Sequence, residues 1–267
     1  MFDIIQVDKK EFMEKSVMNH KDSIEKTKQG FEASFKVDSY YNKQTGDEKH
    51  LELIMNCLQV ETGMKILDLG TGTGYLAFPF AKRYQAQVVG LDIVEKALKE
   101  NKKRAEAEGL NNLCFVNYDG MQFPFDDNSF DIVITRYALH HFTAIEDTFC
   151  EISRVLKKNG IFFLSDPAPN DDDTHRFVDE YMQMKKDGHI KFYTKQEWKE
   201  IGKMSGLNYI DNFETTIRFP KKREIALEFD DIISRHDEAV IRGYDVEIID
   251  DEIWITEKVN NLLFQKC

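Results

Sequence analysis

An α/β fold built on a doubly wound, mostly parallel sheet is what this sequence predicts, and three observations carry the prediction. Short apolar runs of strand length recur through the middle of the chain, at Ile66–Leu69, Val88–Asp92, Leu113–Asp119, Phe130–Thr135 and Ile161–Asp166. Between most of them lie segments with apolar residues at helical spacing. The loops joining the two are short, which implies right-handed crossovers and a sheet covered on both faces.

The first unit is MKILDLGTGTGYLAFPFAK, from Met64 to Lys82. Ile66, Leu67 and Leu69 make the strand, a glycine cluster makes the turn, and Leu76, Ala77, Phe80 and Ala81 make the inward stripe of a helix. Glycines at such a turn let the backbone take positive φ and let a ligand approach without a Cβ in the way. The helix that follows offers unpaired N–H groups, so a nucleotide-type pocket is expected here.

A helix from about Asp47 to Leu58 precedes this unit, with Leu51, Ile54, Met55 and Leu58 on one face. After it comes the strand VVGLD, then a helix from Val94 to Glu108 closed by Gly109. LCFVNYD and FDIVIT are the next strands. Thr143 and Glu146 have the spacing of a capping box, which would open a helix running inward through Ile145, Phe149, Ile152 and Leu156 to Asn159-Gly160. IFFLSD is the fifth strand, with Pro167 and Pro169 expected to stop it.

Beyond residue 167 the reading is a helix headed by Asp171, Asp172 and Asp173, with Phe177, Tyr181 and Met184 on one stripe. A second capping box, Thr194 and Glu197, opens a helix to Met204 that Gly206 closes. LNYIDNFETTIRF is a sixth strand, residues 221–238 read as helical, and IWITEKVNNLLFQK supplies the last strand. At the other end, residues 1–47 have apolar positions too sparse for a core of their own. Phe12, Val17 and Ile24 fit one or two short amphipathic helices, and Phe31, Phe35, Tyr40 and Tyr41 end that arm.

With 267 residues and 42% apolar content the chain can bury one full core with decorations. A net charge of −12 disfavours nucleic acid as a partner, because phosphate binding needs a basic face. The run Lys99–Arg104 reads as a solvated helix face, being interleaved with Glu100 and Glu106. The four cysteines form no C-x-x-C pair, which fits a reducing cytoplasm. No basic segment followed by an apolar core opens the chain, and no 18-residue apolar run occurs, so the expected location is cytoplasmic with no membrane span.

Two cofactor classes use such a glycine turn. Gly72, Gly74 and Ala77 satisfy the G-x-G-x-x-A form of the dinucleotide fingerprint, and Asp92 lies 20 residues after Gly72, where a ribose-binding acid belongs. Asp68 and Gly70 turn the choice, because D-x-G-x-G-x-G at a strand end resembles motif I of the class I S-adenosylmethionine-dependent methyltransferases. ILDLGTGTG, VVGLD, NYDGMQFPFDDNSFDIV, ALHHF and EISRVLKKNGIFFLSD occur in the order and spacing of the group similar to the ubiquinone/menaquinone biosynthesis C-methyltransferases. The resemblance covers roughly residues 50–166.

It implies a Rossmann-like fold with a seven-stranded sheet, a helical arm or lid at 1–47, and a methyltransferase domain at 48–267 with an insertion at 167–193 and an extension at 221–240. S-adenosylmethionine is the implied cofactor. Asp92 would take its ribose hydroxyls; Asp119, Gly120 and Met121 would hold the adenine, with Ile93 on the other ring face. Asp68, Gly70, Gly72 and Gly74 would serve the methionyl portion, and Arg136 would border the cofactor. Apart from the resemblance, Phe35 or the pair Tyr40 and Tyr41 is expected to face the sulfonium, because a fixed aromatic ring attracts a cation.

Three histidines are candidates for a base: His140 and His141 in ALHHF, and His189 in DGHIKFYT, with a mild preference for His141. Against each stands a packing, capping or loop role. Adjacent histidines converge poorly on one ion, so no metal site is expected. The resulting activity is methyl transfer to a small molecule by in-line displacement, with a homodimer as the one candidate assembly. The alternatives are a nicotinamide-dependent oxidoreductase and a cofactor-binding domain without turnover.

Overall fold

The computed structural model describes residues 20–32, 46–185, 187–223 and 228–267. Phe35, Tyr40 and Tyr41 lie outside these residues, as do Phe12 and Val17. Elements are numbered over the described chain: α1 (20–32), α2 (Glu48–Cys57), β1 (Lys65–Leu69), α3 (Ala77–Arg83), β2 (Gln87–Asp92), α4 (Glu95–Ala107), β3 (Leu113–Asn117) and β4 (Phe130–Arg136). A 3₁₀ turn (Leu139–His141) leads to α5 (Ile145–Val155), β5 (Leu156–Ala168), α6 (Phe177–Gln183), α7 (Lys195–Met204) and β6 (Leu207–Lys222). The chain ends with α8 (Phe229–Arg235), α9 (Glu238–Gly243), β7 (Glu247–Ile249) and β8 (Glu252–Lys266).

The sheet runs β3-β2-β1-β4-β5-β8-β6. The first five of these strands are parallel, whereas β8 inserts antiparallel between β5 and β6. Both faces are covered, as the alternation demands. One face packs Leu67, Leu69, Phe162, Leu262 and Phe264 under Phe149 of α5 and Trp198 of α7. The other packs Ile66, Val88, Ile134 and Phe163 under α2 and Phe78 and Phe80 around α3.

Several expectations need correction, and the helix read through Leu156 to Asn159-Gly160 is one: it ends at Val155, and β5 begins at Leu156. The sheet has eight strands, because the three-residue β7 pairs with β8. Pro167 does not stop β5; it pairs with Val259. Pairing with β4 has already ended at Ser165, so on that side a missing N–H forfeits no ladder bond. The Thr143/Glu146 capping box does not form, since α5 begins after Ala144 with no side-chain cap. Thr143 Oγ1 is engaged instead by His20 Nδ1 at 2.8 Å. Lys221 and Lys222, read as helical, extend β6 opposite Ile253 and Glu252.

The long β6–β8 ribbon carries a separate cluster over the carboxyl end of the sheet, made of Phe177, Tyr181, Phe192, Phe229, Tyr244, Ile253 and Ile255. Asp173 organises it. Its carboxylate accepts from Phe177 N (2.7 Å), Val178 N (3.0 Å) and Tyr244 Oη (2.7 Å), so one acid caps α6 and ties it to α9. The Asp173→Ala variant should unfold about 1–2 kcal/mol more easily in a urea titration. An unchanged midpoint would show that the α6 cap contributes nothing.

Candidate active site

Asp92 ends β2 at the edge of the glycine turn, and its two oxygens are already in use. Oδ2 accepts from Gly72 N at 2.8 Å and Oδ1 from Val94 N at 2.9 Å. Burial pushes its carboxyl above the ordinary range, and the backbone donors oppose that shift. Each carboxylate oxygen has a second lone pair, so the acid can hold the loop and still accept from a ribose. Gly70 comes close to the wall opposite: its φ is +68°, and a Cβ there would lie 2.6 Å from the Ala138 Cβ.

Asp68 is buried behind the turn. Its Oδ2 accepts from Thr71 Oγ1 at 2.6 Å and from Ala77 N at 3.1 Å. Burial raises its carboxyl to about 7. Thr71, not Asp68, forms the cavity wall.

One cavity collects these parts. Gly70, Thr71, Gly72 and Thr73 of the turn, Asp92, Ile93 and Val94, and Tyr118 with Gly120 form one side. Arg136, Tyr137 and Ala138 after β4, with His141 to Ala144, form the other. Lys185 borders it from the 177–193 segment, and Ile24, Thr27 and Phe31 of α1 close the top. The lining is rich in aromatic rings, which suits a sulfonium and an adenine better than a hydrated sugar phosphate.

The expected site residues separate cleanly. Gly70, Gly72, Asp92, Ile93, Gly120, Arg136 and His141 line the cavity. Gly74 lies beneath the turn, where a Cβ would meet the Phe78 ring at 2.5 Å. Asp119 is exposed, and its Oδ1 accepts from Met121 N and Gln122 N, so the Met121 N–H is committed locally. Neither Asp119 nor Met121 is among the lining residues. Tyr40 lies outside the described residues.

Arg136 does not simply extend to solvent. Its guanidinium stacks 4.0 Å from the Tyr75 ring centre and 3.9 Å from that of Tyr137, and its Nε donates to His50 Nδ1 at 3.3 Å. His50 Nε2 donates to Asn261 Oδ1 at 2.8 Å, which fixes the tautomer. Burial lowers the His50 ring to about 4, keeping it a neutral acceptor for the arginine. Tyr137 itself is held at φ 55°, an unusual conformation for a bulky residue at the cavity wall.

The three histidines converge, with ring centres 4.2 Å (His140–His141) and 5.4 Å (His140–His189) apart. Their partners differ. His140 Nδ1 pairs with Asp166 Oδ1 at 2.8 Å, while Asp166 Oδ2 accepts from the His140 backbone N–H at 3.1 Å. Burial keeps His140 neutral and raises Asp166 to about 8. His189, a candidate base with a loop role as its alternative, is buried and pairs through Nε2 with Asp179 at 2.9 Å. Of the three, His141 alone lines the cavity.

Two further ionisable groups escaped the sequence reading. Glu257 of β8 is wholly buried, and neither carboxylate oxygen has a hydrogen-bond partner. Lys221, buried on β6, donates to Tyr181 O at 3.1 Å. Burial raises Glu257 to about 8 from 4.5 and lowers Lys221 to about 7. The folded state therefore keeps a proton on Glu257 that the unfolded chain has released, so this residue's contribution to stability falls as pH rises from about 4.5 to about 8. Glu257→Gln should raise Tm by roughly 2–4 °C at pH 8 and leave it nearly unchanged at pH 5. A larger gain at pH 5 would contradict that sign.

With this geometry in place, the comparisons with known proteins decide the family. The sequence profile described as "Methyltransferase domain" matches residues 60–207. The chain belongs to the methyltransferase domain family. It is an S-adenosylmethionine-dependent methyltransferase, which sets aside the nicotinamide reading of the glycine turn and the reading without turnover.

Among its relatives is the uncharacterized methyltransferase YcgJ of Bacillus subtilis, 29% identical over 170 residues, covering 63% of this chain and 67% of that one. The crystal structure of YcgJ superposes with a TM-score of 0.74 at 24% identity, over 82% of this methyltransferase and 99% of YcgJ, and so shares its fold. The ubiquinone/menaquinone biosynthesis C-methyltransferase UbiE of Dinoroseobacter shibae is 38% identical over 111 residues. That match takes in 41% of this chain and 44% of UbiE, so this methyltransferase spans less than half the length of that relative. A phosphoethanolamine N-methyltransferase of Haemonchus contortus, solved with phosphomonomethylethanolamine and S-adenosylhomocysteine, has the same fold at 20% identity, with a TM-score of 0.60 over 83% of this chain and 53% of that one. Among the described residues no helix is long and apolar enough to cross a membrane.

Proposed function

We propose that the protein transfers a methyl group to a small-molecule acceptor by in-line displacement, with the donor and the acceptor enclosed together in the cavity under α1. The observation that carries this reading is the continuity of the cavity, from Gly72 and Asp92 at one end to His141 and Lys185 at the other. S-adenosylmethionine supplies the methyl group and leaves as a neutral thioether. Asp92 would accept from its ribose, and Gly120 and Ile93 would flank the adenine. The Arg136 side of the cavity, beside Gly70 and Tyr75, would receive the methionyl tail.

The residues of this chain then have three tasks: to align the acceptor, to exclude water and to remove any proton released. Phe31 and Ile24 line the cavity, which supports α1 as the part of the arm at 1–47 that would seal it. The insertion at 167–193 contributes Lys185 and buttresses the histidines: Ile190 N donates to His140 O at 2.9 Å. A net charge of −12 and an enclosed pocket support a small acceptor over a nucleic acid, and a cytoplasmic location fits the four free cysteines.

Calorimetric titration provides the test. S-adenosylhomocysteine should bind with a micromolar or tighter constant, and NAD should not bind. A tighter constant for NAD would overturn the cofactor placement.

A further inference from the structure

Two polar atoms on the acceptor side of the cavity are buried and have no partner: Thr27 Oγ1 and His141 Nδ1. A Cβ on Gly188 would lie 2.1 Å from Thr27 Oγ1, and Thr27 lies one turn before Phe31, whose ring meets that of His141. Burial keeps the His141 ring neutral, so one of its two nitrogens keeps a lone pair. Around it the cavity is aromatic, with the Phe31 ring edge-on to His141 at 5.0 Å.

A buried ring nitrogen beside a buried hydroxyl, both unsatisfied, is costly unless a ligand completes them. We infer that the methyl acceptor presents an O–H or N–H nucleophile to this pair, donating to His141 Nδ1 and accepting from Thr27 Oγ1. The acceptor class is thus an alcohol, phenol or amine, with the heteroatom as the proposed site of methylation. This inference rests on the proposed function above.

The chemistry balances on these groups. The acceptor heteroatom forms its bond to the methyl carbon as the carbon–sulfur bond breaks with its electron pair on sulfur. The proton of the O–H or N–H passes to Nδ1, so the positive charge lost by sulfur ends on the imidazolium. Asp187, buried beside His141, stabilises that cation; against the effect of burial, the Lys185 and Lys221 charges help hold its carboxyl below the usual range.

The other groups facing His141 are His140 on its own turn, Asp166 of β5, and Lys185 and His189 of the 177–193 segment. Burial lowers the ring to about 3, so it stays unprotonated throughout the neutral range.

The test uses the full chain saturated with S-adenosylhomocysteine and two probes of one shape, phenol and toluene, with affinities measured by ligand-observed NMR. Phenol should bind at least tenfold more tightly. That preference should collapse in His141→Phe, fall by about half on a logarithmic scale in Thr27→Val, and largely survive in His141→Asn, whose amide oxygen can take the place of Nδ1. It should also persist down to pH 5, where a solvent-exposed histidine would already be protonated. Equal binding of the two probes, binding of neither, or an undiminished preference in His141→Phe would overturn the inference. Failure of S-adenosylhomocysteine itself to bind would instead remove the reading on which it rests.

Discussion

Replacing Asp92 by alanine is expected to weaken S-adenosylhomocysteine binding by about ten- to a hundredfold, or about 1.4–2.7 kcal/mol. Two losses add. The ribose hydroxyls would lose a charged acceptor in a buried site. The turn itself would lose the bonds from Gly72 N and Val94 N, which now fix its distance from β2 and start α4. Asp92→Asn should recover only part of the affinity, because its amide group must present N–H donors to at least one of those backbone N–H groups. Isothermal titration reads the result directly, and native affinity in Asp92→Ala would mean that the ribose lies elsewhere.

Gly188→Ala should dislodge α1 from the cavity. The added Cβ would sit 2.1 Å from Thr27 Oγ1 and 2.9 Å from Thr27 Cα, and the second contact is with backbone that no rotamer change relieves. Gly188 also has φ +86°, so alanine is strained there before any contact is counted. The rest of the fold does not depend on this seam. Trypsin cleavage at Lys21, Lys26 or Lys28 is therefore expected to rise more than tenfold with little change in the global melting temperature. Unchanged cleavage would show that α1 does not depend on Gly188 for its seat.

The succession of strands along the chain and the turn chemistry were readable because each was written in a local pattern. The D-x-G-x-G-x-G turn, VVGLD and FDIVIT fell where the pattern placed them, as β1, β2 and β4 with their adjoining loops. The β6–β8 ribbon was only half legible. Lys221 and Lys222 look helical by composition, and only pairing with Ile253 and Glu252 makes them strand. Glu257 left a trace that could have been found: Ile253, Ile255, Glu257 and Val259 occupy one face at period two, and an acid in that row is buried.

The cavity roof was harder to see. Phe31 and Ile24 were visible as aromatic and amphipathic positions of an arm, but Thr27 lies between them with no sequence signal of its own. Its role depends on the close approach of Gly188, some 160 residues away. The histidine pair illustrates the same limit. ALHHF does not say which ring faces the cavity; Asp166, at the end of β5, captures His140 and leaves His141 to the pocket.

Hydrogen–deuterium exchange with and without S-adenosylhomocysteine is the most direct test of the central claim, that the ligand fills one cavity roofed by α1 and bordered by the 177–193 segment. Residues 20–32, 70–75, 118–120, 136–143 and 185–189 should gain protection together, while α4 (Glu95–Ala107), on the surface behind Asp92, should change little. Protection confined to 70–75 and 92–94, with 20–32 exchanging as before, would contradict the account and make α1 a fixed wall unrelated to the ligand.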